Sequence, residues 1–344
     1  MKIVNNNFLK IKWIIAIFLF ATFASCKQKD NKNYTYFHDS GSVFSTGFNI
    51  KYAYDRSLEN EILEELHKFD MSLNPFNKKS IIHKVNNNEE VELDSFFVHV
   101  FNKATEISKN TDGYFDITVS PLINAWGFGF EDLGDITPEL IDSLKEFVGY
   151  EKISISPENK IVKQDERTQI NTSAIAKGYA CDVVANLLKR HNIENYMVEI
   201  GGEIVVSGVN DKGNCWQIGI DKPIEDILNL EHDLQTILSL CNKSLATSGN
   251  YRNYYVRDGK KYAHTIDPKT GYTSHTDVLS ATVLADDCMT ADAYATAFVA
   301  MGMQKSIEVA SKIDGLEYYF IYDNEKDGRF DVIYSDGFEK YINK

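Results

Sequence analysis

The chain has 344 residues, 43% of them hydrophobic and 25% charged, with a formal net charge of −14. That is the composition of a globular protein, and the length allows one large domain or two closely packed ones. An acidic balance of this size argues against nucleic acid or an anionic membrane surface as a partner.

At the N-terminus, Lys2, Lys10 and Lys12 precede an apolar run at 13–23 that ends in Phe23-Ala24-Ser25-Cys26. The run is too short to cross a membrane as a stable helix. A basic start, a short apolar core and small residues before a Cys form the pattern of a bacterial lipoprotein signal, cut before Cys26, whose thiol then carries lipid. A plain secretory signal with an incidental Cys is the alternative. Loss of residues 1–25 removes three Lys and no acid, so the charge moves from −14 to about −17. Lipid, and not charge, would then hold the protein at the membrane, exported and facing the periplasm. Residues 26–40 are expected to form a polar tether and 41–344 the folded domain. Of the remaining cysteines, Cys181, Cys215, Cys241 and Cys288 match no zinc spacing and no CxxC. One disulfide is possible in an exported chain, but mostly buried, reduced thiols are the expectation.

Strand-like alternation begins at 48–52, and 58–69 has helical spacing through Ile62, Leu63, Leu66 and Phe69. A second helical period runs over 96–111 and closes at Asp112-Gly113. Residues 113–129, GYFDITVSPLINAWGFG, mix glycine with aromatics. They read either as a loop that lets a flat ligand approach the backbone or as a buried aromatic cluster. Thr137 and Pro138 open a helix over 138–148. A hairpin is expected at 152–156 and 160–163. The turn Asn171-Thr172-Ser173-Ala174-Ile175-Ala176-Lys177-Gly178 leads into a helix over 179–191. It has the logic of a phosphate loop without the Walker pattern, or is a neutral turn with a surface Lys. Strands at 196–200 and 203–207 flank Gly201-Gly202, a hairpin signal, and a further strand covers 216–220. The small residues of 245–250, LATSGN, read as a turn before a strand at 251–257. A strand at 262–266 runs into the turn Asp267-Pro268-Lys269-Thr270-Gly271. A strand at 278–284 and a closing hairpin at 318–322 and 330–334 complete the list. The irregular mixture of helices and strands indicates an α+β fold, not a doubly wound sheet.

The helix expected over 290–301 opens with TADAYATA. Asp292 and Thr296 lie four residues apart, on one helical face. A carboxylate and a hydroxyl stacked in this way suit a hard cation such as Mg²⁺, and a nearby helix N-terminus would favour a phosphate. A helix cap and a solvated side chain are the plainer reading.

Several segments together resemble the ApbE-like flavin transferases, the FAD:protein FMN transferases. They are SLNPFNKKSIIHKVN from Ser72, the aromatic stretch from Gly113, NTSAIAKGYACD from Asn171, VEIGGEIVVSG from Val198, LATSGNYRNYY from Leu245, HTIDPKTG from His264, and TADAYATA. The resemblance covers nearly all of the chain after the tether. It implies a T-fold-like α+β arrangement, mixed sheets with packed helices, and a flavin site between two lobes. It also implies Mg²⁺-dependent cleavage of FAD, with FMN moved onto a Thr or Ser hydroxyl of an acceptor protein through a phosphoester bond and AMP released. Acceptors in such a family are flavin-bearing subunits of ion-pumping redox complexes and related exported domains. Matched residue by residue, Asp292 and Thr296 are side-chain metal ligands, while Ala174 and Ala295 offer carbonyls. Lys177 contacts phosphate. Asn171, Phe115, Asp116, Ile117 and Ile266 line the cofactor. His264 is a base candidate or a positioning donor to phosphate. Phe76 stands where relatives have a Tyr beside the flavin, and Asn171-Thr172 where they have Asp-Leu. Two alternatives remain for the same residues, an FAD pyrophosphatase and a flavin-binding lipoprotein without chemistry.

Overall fold

The computed structural model describes residues 35–129, 136–223, 233–250, 254–257, 260–274, 276–324 and 329–343. The expected signal segment, Cys26 and the tether as far as residue 34 lie outside them. In chain order the described elements are β1 (Thr35–Val43), β2 (Thr46–Tyr54), α1 (Glu59–Leu73), α2 (Ile81–Asn86), α3 (Ser95–Asn110), α4 (Ser120–Ala125), α5 (Pro138–Lys145), β3 (Ile153–Ile155), β4 (Ile161–Lys163), α6 (Ala176–Arg190), β5 (Tyr196–Ile200), β6 (Glu203–Ser207), β7 (Trp216–Asp221), β8 (Leu234–Leu240), β9 (Lys243–Gly249), β10 (Tyr254–Arg257), β11 (Lys260–Ala263), β12 (Val278–Ala285), α7 (Cys288–Met301), α8 (Met303–Ala310), β13 (Glu317–Asn324) and β14 (Arg329–Tyr334). Residues 36–344 hold together as one unit. The first described strand, β1, starts at Thr35, inside the segment expected to be tether.

Eight strands form the central sheet in the order β1-β2-β5-β6-β9-β12-β13-β14. From β2 onward its pairings are antiparallel. Side chains alternate between its faces, as a pleated strand requires. Phe48, Ile50, Val198, Val205, Ala246, Val283 and Phe320 join the core under the helices. Val206, Leu245, Leu284, Tyr319 and Ile321 face the other way, against Trp216, Ile218, Leu238 and Leu240 of the β7–β8 hairpin. A register shift between Val278 and Ser280 puts Val278 on the helix face together with Ala281 and Val283. The α+β class follows: helices on one face of an antiparallel sheet, a hairpin on the other.

The helices form where apolar residues recur every third or fourth position. In α3, Phe97, Val100, Phe101, Ala104 and Ile107 are all buried, and the Asp94 carboxylate caps the start by accepting the Phe97 N–H at 2.8 Å. Apolar residues cover every side of α7, because it packs on β9, β12 and α6. The Gly201-Gly202 turn has φ of 64° and 100°, which permits the tight β5–β6 connection.

Contrary to the sequence expectation, Cys215 and Cys241 form a disulfide. It ties the residue before β7 to the residue after β8. Cys181 and Cys288 remain free and buried, as expected. Among the described residues no helix is long and apolar enough to cross a membrane.

Candidate active site

The residues before α6 are held from two sides. Asn86 accepts the Ile170 N–H at 2.7 Å and donates to its carbonyl at 2.8 Å. The Asn171 N–H donates to the Ile117 carbonyl, and the Asn171 side chain accepts the Ser173 N–H at 2.9 Å. This fixes the Ser173-Ala174 turn at the mouth of α6, which has no side-chain cap of its own. The turn borders a cavity of about 750 Å³, within the range of small-molecule sites. Phe115, Asp116, Ile117, Asn171, Ala174, Lys177, His264, Ile266, Asp292 and Thr296 all line it.

Asp292 and Thr296 share a face of α7, as their spacing predicts. The Gly178 N–H, in the first turn of α6, donates to Asp292 Oδ2 at 2.9 Å. The helices touch closely there, since a Cβ on Gly178 would lie 2.3 Å from the Cys288 carbonyl oxygen. The Thr296 hydroxyl shares a 3.0 Å hydrogen bond with Ser248 of β9. One expectation fails at α7. Its N-terminus is not open to a phosphate, because Asp287 accepts the Thr290 N–H and Asp182 accepts the N–H groups of Cys288 and Met289. The helix end facing the cavity belongs to α6.

Lys177 is paired with Glu203, whose side chain is 4% exposed. Sequence reasoning missed Glu203, although it closes the Gly-Gly hairpin two residues after Gly201. Asp292, Glu203 and Lys177 thus put two carboxylates against one ammonium. Burial raises the Asp292 carboxyl, with Lys177 and the Gly178 N–H pulling the other way. Burial, then repulsion from Asp292, raises Glu203. Burial disfavours the Lys177 charge, but Asp292 and Glu203 outweigh it and the ammonium is held. One Glu203 oxygen, Oε2, is buried without a hydrogen-bond partner. Burial thus disfavours ionising both carboxyls against a single ammonium, and a bound cation would favour their ionised forms.

The donor set fits a hard cation. The Asp292 carboxylate, the Thr296 hydroxyl and the Ala174 carbonyl are oxygens, and Mg²⁺ takes one or two carboxylates and fills its shell with water or substrate phosphate. Among the described residues no three His, Cys, Asp or Glu side chains stand together as a metal-binding group.

His264 follows β11, with Phe128 edge-on at 6.4 Å. The next turn is docked firmly. Ile266 bridges to Thr273, and the Gly271 carbonyl accepts the Trp126 indole N–H at 2.8 Å. Gly271 has φ of 81°, and a Cβ there would meet Ile141 at 2.5 Å. Asp116 lines the cavity but spends its carboxylate on the fold. It accepts from the Thr118 N–H, the Thr118 hydroxyl and the Tyr150 N–H at 2.6–2.8 Å, while burial raises its pKa. Two expected site residues are not on the cavity wall. Phe76 is 73% exposed, on a loop pinned through Asn74, Asn77 and Asp70. Ala295 is fully buried and does not line the cavity.

Known proteins match this chain over most of its length. A family model described as the ApbE family matches residues 44–320. The FAD:protein FMN transferase of Vibrio cholerae serotype O1 is 36% identical over 87% of this chain and 90% of that protein. The FAD:protein FMN transferase of Haemophilus influenzae is also 36% identical, over 90% of this chain and 92% of that protein. A solved structure of the flavin transferase ApbE from Vibrio cholerae superposes with a TM-score of 0.79 at 33% identity, covering 90% of this chain and 99% of that one.

Proposed function

The chain belongs to the ApbE family, and on that premise we propose that it is a Mg²⁺-dependent FAD:protein FMN transferase. It would move the FMN half of FAD to a Thr or Ser hydroxyl of an acceptor flavoprotein, forming a phosphoester and releasing AMP. The observation that carries this reading is the meeting of Asp292, Thr296, Ala174, Lys177 and His264 in one cavity.

Breaking a pyrophosphate is a problem of charge and position. Asp292, Thr296 and the Ala174 carbonyl would hold Mg²⁺, which when bound supplies charge neutralisation at the diphosphate. Lys177 adds a fixed positive charge for a phosphate oxygen, kept in place by Glu203. Phe115, Ile117 and Ile266 offer apolar wall to the rings. The acceptor oxygen bonds to the FMN phosphorus, the bond from that phosphorus to the AMP oxygen breaks, and His264 takes the hydroxyl proton.

The lipoprotein-like N-terminus supports an exported enzyme anchored through Cys26. The Cys215–Cys241 disulfide supports it as well, since such bonds persist in oxidising compartments. Acceptors would then be exported flavoprotein domains, including subunits of ion-pumping redox complexes.

The test is incubation with FAD, MgCl₂ and an exported flavoprotein acceptor, followed by flavin fluorescence in a denaturing gel. Acceptor-bound fluorescence is expected, absent with Asp292→Ala. His264→Ala should keep FAD binding and lose most transfer. AMP and free FMN with an unlabelled acceptor would establish the pyrophosphatase instead, and binding without turnover a flavin carrier.

A further inference from the structure

We infer that Asp182 is a positioning residue for the cation site, setting α7 against α6 so that the two halves of that site meet; this rests on the metal reading above. The start of α7 already has its own cap. Asp287 Oδ1 accepts the Thr290 N–H at 2.8 Å, and the Thr290 hydroxyl donates to Asp287 Oδ2 at 2.9 Å. The helix needs no second carboxylate to begin. Asp182 nevertheless reaches across from α6 and accepts the Cys288 N–H on one oxygen at 2.9 Å and the Met289 N–H on the other at 2.8 Å. A carboxylate withdrawn from water is costly, and two charge-assisted bonds at a helix N-terminus offset that cost.

The placement explains why such a costly group is there. Gly178 and Asp182 are four residues apart on α6 and so share one face. At Gly178, α6 donates a hydrogen bond to the Asp292 carboxylate of α7. At Asp182, α6 accepts two from the first turn of α7. Two contacts of opposite polarity, one helical turn apart, fix both the slide and the tilt of one helix on the other. The cation site is split across the same pair of helices: the Ala174 carbonyl precedes α6, while Asp292 and Thr296 sit on α7. A small slide of α7 would separate these ligands with neither helix unfolding.

The test uses Mn²⁺ as the probe, titrated into the purified protein with AMP at pH 8, with free Mn²⁺ read by electron paramagnetic resonance. Asp182→Asn keeps the shape but loses one acceptor, and is expected to weaken Mn²⁺ binding about tenfold or more. Asp287→Ala removes the local cap at the same helix end and should leave binding within about twofold. Thermal melts confirm that each variant is folded. Should Asp182→Asn not fold, Asp182→Glu keeps charge and both acceptors but pushes α7 outward by one methylene, and it too should bind more weakly. Mn²⁺ affinity unchanged in a folded Asp182 variant, or lowered equally by Asp287→Ala, overturns the inference. Asp292→Ala separates the two layers. If it binds Mn²⁺ normally, the cation site itself is misplaced and the role of Asp182 falls with it. If it loses binding while the Asp182 variants do not, only the positioning role fails.

Discussion

Replacing Gly178 by Ala tests how tightly α6 and α7 are joined. The added Cβ would lie 2.3 Å from the Cys288 carbonyl oxygen, 2.7 Å from the Cys288 carbonyl carbon and 2.7 Å from Asp292 Cβ. Two of these atoms are backbone and cannot swing aside, so α7 must move away by roughly 1 Å to reach ordinary contact. A shift of that size breaks the 2.9 Å bond from the Gly178 N–H to Asp292. Overpacking of this kind costs up to about 3 kcal/mol, and the better helix propensity of Ala returns about 1 kcal/mol, leaving a net loss near 2 kcal/mol. At about 2–4 °C per kcal/mol, the melting temperature should fall by roughly 4–8 °C. FAD turnover should fall more steeply than stability, with a higher Mg²⁺ requirement, because Asp292 moves with α7. Differential scanning calorimetry and a Mg²⁺ titration of FAD turnover at 25 °C measure both. Propensity alone predicts the opposite sign. A Gly178→Ala protein that melts no lower than the parent and turns over FAD normally would refute the close helix contact and its link to Asp292.

Two further outcomes follow from other parts of the fold. The Cys215–Cys241 bridge spans a sequence separation of 26 residues, for which chain entropy gives about 3.5 kcal/mol. The Cys215→Ser/Cys241→Ser protein should therefore melt roughly 7–14 °C lower, with FAD turnover at 25 °C largely retained; an unchanged melt would show that the hairpin is held by its apolar face alone. Burial pushes the Asp182 carboxyl up to about 7, against two amide donors that lower it, so between its unfolded value of 3.8 and 7 the native state holds a proton that the unfolded chain has released. Stability then falls as pH rises through that window, by about 1.4 kcal/mol from pH 6 to pH 8, and Asp182→Asn should remove that slope from the melting curves; parallel curves for variant and parent would contradict it.

What the sequence made legible is what local physics decides. The period of α3, the Thr137-Pro138 entry to α5 and the Gly-Gly turn between β5 and β6 each depend on residues a few positions apart, and each is found where expected. The pairing of Asp292 with Thr296 is local in the same sense. The misreadings arise where distant segments decide. LATSGN looks like a turn because its residues are small, yet all but its last residue lie in β9, a central strand between β6 and β12. Small side chains are needed there because α7 lies on it, and Ser248 touches Thr296 for that reason. The first strand was hidden by polar residues that an edge strand exposes to water. Cysteine spacing says nothing about which thiols a hairpin brings together. Glu203 and Asp182 carry no local signal at all, since one acts through Lys177 and the other through the first turn of a helix about a hundred residues later. The shared face of Asp292 and Thr296 could be read from residues four apart, whereas the buried charges beside them required the packing of α6 on α7 and of β6 beneath them.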